Sequence, residues 1–143
     1  MSNKIKYLQE ELTFDVSGQK LFEISKEINS WINSQKINLG NLTIFIKHTT
    51  ASIIIQENYS NDVLEDIQKF FHKLVPEDNS LYKHSDEGKD DMPAHIKSLL
   101  TQTSVTVPIL NGKMDLGIWQ GIFLYEHRNY EKTRKINLSF IGE

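Results

Sequence analysis

"NLTIFIKHTTASIIIQEN", residues 41–58, sets the reading of the whole chain. In its first half apolar and polar positions alternate. Leu42, Ile44 and Ile46 therefore fall on one face of a strand over residues 42–48, and His48 ends the same row. Its second half is an apolar run that reads as another strand over 51–57. Three large aliphatic residues in one row argue that the face is buried, so His48 stands at the inner end of a core strand. Two readings follow from the residues: a core histidine whose ring nitrogens are satisfied by neighbours, or one wall of a pocket.

Upstream, residues 4–16 alternate and predict a strand. Residues 18–34 carry Leu21, Ile24, Ile28, Trp31 and Ile32 at helical spacing, which predicts a helix with one apolar stripe. Leu39-Gly40-Asn41 reads as a turn. Downstream, Val63, Leu64, Ile67, Phe70, Phe71 and Leu74 predict a second amphipathic helix over 61–75. Ser60, Asn61 and Asp62 are its N-cap candidates, and Pro76 ends it. Residues 77–92 read as a polar loop and Pro93 as the opening of a short helix. "SVTVPI", "MDLGIWQGIFLYEH" and "RKINLSFIG" then read as three strands, with a hairpin turn at Asn111-Gly112. The expectation is an α+β chain: one compact domain over 1–143, a largely antiparallel or mixed sheet, and two to three helices.

Composition bounds the function. A chain of 143 residues with 38% hydrophobic and 24% charged residues can bury a sizeable core. A net charge of −3 without a basic patch argues against nucleic acid. The absence of cysteine removes disulfides and thiolate ligands. The opening "MSNKIKYLQEELTF" lacks the apolar core of a signal peptide, and no stretch reaches the roughly 20 apolar residues of a membrane span. No membrane association and a cytoplasmic location are expected.

Chemistry gathers in four places. The first is His48, with Thr49, Thr50 and Ser52 beside it as hydroxyl donors. The second is the loop "YKHSDEGKDDMPAH", where His84 and His95 bracket Asp86, Glu87, Asp90 and Asp91. Loop and strand-end histidines together can make a three-ligand site for zinc or a similar ion, with a position left open; a charge run is also what a solvated loop looks like. The third is "LGIWQGIFLYEHR". Gln120 needs a partner if buried, Trp119 reads as core, and Glu126 is a ligand, a base or a rim charge. His127 reads as an exposed strand end, as does His72 on its helix. The fourth is Arg128 and Arg134, which suit phosphate or carboxylate or pair with Glu131 or Glu126.

Taken together, "HTTASIIIQEN", "DDMPAHIKSLL", "SVTVPILNGKMDLGIWQGIFLYEHR" and the final "R...INLSFIG" resemble the YjbQ-like family, also called the secondary thiamine-phosphate synthase enzyme family, over roughly residues 10–142. The resemblance implies a compact α+β fold, a homotrimer, and a histidine-lined pocket able to hold a metal. It also implies an activity that joins a pyrimidine diphosphate to a thiazole phosphate, hence a small phosphorylated ligand. Carried over residue by residue, it assigns His48, His84 and His95 as metal ligands and Gln120, Glu126 and Arg134 as catalytic groups. Thr49, Thr50 and Ser52 then serve the ligand or orient His48. Two positions depart from the family's pattern. Asp91 stands where asparagine is usual and adds negative charge beside His95; Gln102 stands where glycine is usual. A histidine-rich site suits zinc or another transition metal better than magnesium, the usual partner of diphosphates. Beside the transferase, two other functions fit the residues: a metal-dependent hydrolase, and a non-catalytic trimer that binds a small anion.

Overall fold

A computed structural model describes residues 4–143. Its strands are β1 (Lys6–Ser17), β2 (Lys20–Glu23), β3 (Gly40–Ile46), β4 (Ala51–Glu57), β5 (Ser104–Leu110), β6 (Lys113–Met114), β7 (Gln120–Glu126) and β8 (Glu131–Gly142). Its helices are α1 (Ser25–Ser34), α2 (Asn61–Leu74) and α3 (Asp91–Leu100). All the strand pairs are antiparallel, and the strands divide between a five-stranded sheet, ordered β1-β8-β3-β5-β6, and a three-stranded sheet, ordered β2-β7-β4. The α+β expectation holds, with the antiparallel strands divided between two sheets.

Period-2 alternation builds the space between the sheets. The large sheet turns Leu42, Ile44 and Ile46 of β3, Val105, Val107 and Ile109 of β5, and Ile136, Leu138 and Phe140 of β8 inward. The small sheet supplies Ala51, Ile53, Ile122 and Leu124 to the same core, and α1 closes it with Ile28, Trp31 and Ile32. β7 differs from the other strands in being buried at every position after Gln120. Its second face, with Phe123 and Tyr125, lies under helices; the Phe71 ring of α2 stands edge-on to Tyr125 at 6.1 Å.

Several boundaries differ from the sequence reading. The stretch 18–34 is not one helix: Leu21 and Phe22 belong to β2, which pairs with β7, and the helix starts at Ser25. The Ser25 hydroxyl accepts the Ile122 backbone N–H at 2.8 Å, so this helix start is pinned to β7. α3 begins at Asp91 rather than Pro93. Residues 114–127 are not one strand: β6 ends at Met114 and β7 begins at Gln120, with Trp119 half exposed between them. The Asn111-Gly112 turn is as expected, with φ of 52° and 80° at its two central residues, the pair of left-handed conformations a tight hairpin needs. The stripe of α2 is only half covered, and Phe70 and Leu74 face outward.

β3 and β4 are consecutive in sequence but lie in different sheets, so residues 47–50 carry the chain from one sheet to the other. Everything placed on that crossover depends on the packing of the strand before it. Ile46 is wholly buried at its end. Ile46→Ala is expected to cost about 2–5 kcal/mol, as a buried large-to-small change, read from urea unfolding midpoints at constant m-value.

Candidate metal centre and its pocket

Asp91 opens α3 and His95 follows one turn later on the same side, the i,i+4 relation of a helix face. His84 arrives from the loop. Its Nε2 lies 2.6 Å from Asp91 Oδ2, and His95 Nε2 lies 3.4 Å from the same oxygen. The three ligand atoms all fall within 4.8 Å of one another. The Asp91 side chain is only 1% exposed, while those of His84 and His95 are 47% and 34% exposed. Two half-open imidazoles therefore converge on one oxygen of a sealed carboxylate. Two nitrogens and one carboxylate oxygen suit zinc, iron or similar ions, not magnesium, which takes oxygen ligands.

The other Asp91 oxygen, Oδ1, accepts Arg128 Nη1–H at 2.5 Å. Arg128 also donates through Nε to Asp90 Oδ2 at 2.9 Å and through Nη2 to the Glu87 carbonyl at 2.8 Å, and its backbone N–H donates to Glu126 Oε1. Burial works against the guanidinium's charge, but the Asp90 hydrogen bond and the charges of Asp90, Asp91 and Glu87 outweigh it and hold its proton above the ordinary range. Arg128 is thus the clamp that shapes the 87–91 loop and aims Asp91.

A second ionic pair lies deeper. Along β8, Arg134 shares the inward row with Ile136, Leu138 and Phe140; on β7, Glu126 shares it with Ile122 and Leu124. The two meet between the sheets, with Arg134 Nη2 2.5 Å from Glu126 Oε1 and Nε 2.6 Å from Oε2. Their side chains are 4% and 0% exposed. Arg134 Nη2 also donates to the Thr50 hydroxyl and carbonyl.

His48 lies outside the cluster of His84, Asp91 and His95. It lines a cavity of about 350 Å³ together with Thr49, Met92, His95, Ile96 and Leu99. Its Nε2 accepts the Lys135 backbone N–H at 2.8 Å. A neutral imidazole that accepts at Nε2 carries its proton at Nδ1, so in this arrangement His48 is a donor and has no lone pair left for a metal. Burial, and then the Arg134 charge, push its proton affinity below the usual histidine range, which keeps it neutral.

The remaining sequence-nominated residues separate. Thr49 is exposed at the cavity, but Thr50 is held by Arg134 and Ser52 is fully buried, bonded to Thr101 and to His127 Nε2. Glu126 and Arg134 occupy each other. Gln120 sits at the far end of β7, six residues or roughly 20 Å of strand from Glu126. It is exposed, and its Oε1 accepts the Gly117 N–H to close the preceding loop. The structure therefore does not bring Gln120 together with Glu126 and Arg134. His127, expected at the surface, is 1% exposed because the outer face of β7 is covered; its Nδ1 has no partner among the described residues. Burial first, then the Lys97 and Arg134 charges, push its proton affinity down to about 3. Arg128 and Asp91 are the site residues whose roles needed the structure. Asp91 was visible as one of the four acids between the two histidines and as a negative charge beside His95, but not as a ligand.

A family model described as UPF0047 protein YjbQ-like matches residues 10–143. The UPF0047 protein of Synechocystis sp. is 47% identical over 135 residues, which is 94% of this chain and 92% of the relative. The UPF0047 protein YjbQ of Escherichia coli O157:H7 is 38% identical over 138 residues, 96% of this chain and 99% of the relative. The crystal structure of a YbjQ-like protein of unknown function from Sulfolobus solfataricus P2 is 24% identical, a likeness of fold, with a TM-score of 0.88 over 98% of this chain and 100% of its own. No helix is long and apolar enough to cross a membrane among the described residues.

Arg134→Met strands the Glu126 carboxylate in the core and is expected to cost about 3–5 kcal/mol; adding Glu126→Leu should return part of that loss, as measured by denaturant unfolding of both variants. His127 has its own signature. Because its folded value is depressed from 6.5 to about 3, its contribution is complete above pH 6.5 and is lost as pH falls toward 3. The slope is at most about 1.4 kcal/mol per pH unit. His127→Gln should flatten the stability profile between pH 6.5 and pH 4 relative to the parent.

Proposed function

The chain belongs to the UPF0047 YjbQ-like family, and on that footing we propose that it is a metal-dependent enzyme acting on a small molecule, with His84, Asp91 and His95 as the ligands. One observation carries this: two imidazole Nε2 atoms converge on a single oxygen of a buried carboxylate whose other oxygen is fixed by an arginine. A divalent transition ion bound by three protein groups supplies Lewis-acid activation at coordination positions left open. The chain's own groups do the rest. Arg128 orients Asp91, the indirect support that ligating carboxylates commonly receive. His48 offers its Nδ1–H across the cavity from His95, as a donor to a substrate oxygen. The Glu126–Arg134 pair is a positioning element: it fixes the crossover that carries His48 and is not itself in reach of a ligand.

The reaction we assign is hydrolysis. The transferase implied by the family resemblance needs charge stabilisation on a leaving diphosphate. Here the donor set favours zinc or iron over magnesium, and both arginines are already occupied. We take the working unit to be a homotrimer in the cytoplasm. The half-covered stripe of α2, with Phe70 and Leu74 exposed, supports assembly of some kind.

Zinc-reconstituted protein should retain about one ion per chain by elemental analysis. His84→Ala and His95→Ala should each lose most of it while melting within a few degrees of the parent, since both side chains are half exposed. Zinc-dependent turnover of small chromogenic esters is expected, reduced in the same variants. Undiminished zinc in either variant would refute the ligand assignment. Thiamine phosphate formed from the two phosphorylated precursors, without ester turnover, would replace hydrolysis by transfer. A monomer in light scattering at micromolar concentration would reject the trimer.

A further inference from the structure

We propose that the cavity beside the cluster takes a ligand with an apolar body and one anionic head, a medium-length carboxylate of the kind ester hydrolysis releases, and not a diphosphate. This rests on the metal reading of His84, Asp91 and His95 for the position of the head group.

The apolar part of the argument comes from α3. Its sheet-facing residues are Pro93, Ala94, Lys97 and Ser98, all buried. Met92, Ile96 and Leu99 form a different stripe, spaced i, i+4 and i+7, that packs into no core. Leu99 is 83% exposed. That stripe, with His95 within it, forms one wall of the cavity. A volume of about 350 Å³ lies at the lower end of the range for small-molecule sites. An apolar wall left partly open, with Met92 and Ile96 half-buried and Leu99 exposed, is what an aliphatic or aromatic substituent would cover.

The charge argument is independent. No lysine or arginine lines the cavity. The donors of Arg128 are on Asp90, Asp91 and the Glu87 carbonyl, and those of Arg134 are on Glu126 and Thr50. With a divalent ion in place, its two charges and the one of Arg128 are balanced by Asp90, Asp91 and Glu87, so the site holds no surplus positive charge for a polyanion. A diphosphate would bring two or more uncompensated negative charges to a low-polarity wall, where unpaired charge is costly. Around the head group the available donors are few: the His48 Nδ1–H and the hydroxyls of Thr49 and Thr103, enough for one carboxylate.

Calorimetric titration of zinc-loaded protein with acetate, butyrate, hexanoate and octanoate, and separately with inorganic pyrophosphate, tests this, with zinc content measured before and after. Affinity should rise up to about fourfold per methylene until the cavity is filled, and pyrophosphate should bind more weakly than hexanoate. Leu99→Glu, a change at an exposed site, should cut hexanoate affinity tenfold or more with zinc content unchanged. A flat series, pyrophosphate binding tighter than hexanoate, or an indifferent Leu99→Glu would each overturn the proposal. Protein that takes up no zinc refutes the metal reading instead. In that event the same series on metal-free protein still decides the cavity: a rising series supports the apolar wall, and a flat one overturns it.

Discussion

The bidentate contact of Glu126 with Arg134, closed off from water between the two sheets, is the constraint from which the functional end of the molecule is built. Such a pair adds little net stability, because desolvating both charges offsets most of their attraction, yet losing either partner is expensive. Its main effect is positional. Arg134 also holds the Thr50 hydroxyl and carbonyl, and the same carbonyl accepts the His127 backbone N–H. Glu126 receives the Arg128 backbone N–H, and Lys135, next to Arg134, presents its N–H to His48. One ion pair thus fixes where β7 ends, where the chain changes sheets, and which nitrogen of His48 is free. From Arg128 the chain of ionic contacts runs outward to Asp90 and Asp91 and reaches the two histidines.

On the proposed reading this arrangement separates groups that touch a ligand from groups that hold them in place. His84 stands half exposed beside His95, which lines one opening with His48 and Thr49. Asp91, Arg128, Glu126, Arg134 and Ser52 are buried beneath it. A preorganised site needs that second group to be satisfied without the ligand, and here its hydrogen bonds are made within the chain. The exception is His127, whose Nδ1 is buried without a partner among the described residues; it is destabilised by any proton it takes up.

Much of the fold was legible wherever one sheet face is buried and the other wet. The rows of β3, β5 and β8 follow directly from alternation, and the inward position of Arg134 follows from its parity with Ile136, Leu138 and Phe140. Helical spacing over 18–34 misled because Leu21 and Phe22 fit a helix stripe as well as a short strand. Pairing with β7 decided the matter, and no local pattern carries that information. His127 was misread for a related reason: its burial comes from helices far away in sequence. Of the site, the two loop histidines were visible as residues. The roles of Asp91 and Arg128 were not, because they depend on a contact across 37 positions of sequence. Gln120 was grouped with Glu126 by its motif, although an extended strand sets its two ends far apart.

β8 is an interior strand of the large sheet, paired on one side with β1 and on the other with β3. Lys6 is the register partner of Gly142, so the first strand and the last depend on each other. On the ribosome, β1 and β3 emerge well before β8, the neighbour they share. Those strands must wait with open edges, an aggregation hazard, and contacts of such long sequence separation close slowly. Arg134 and Lys135 arrive on that same late strand. The hydrogen bonding of His48 is therefore set only after a strand more than eighty residues downstream of it has been made.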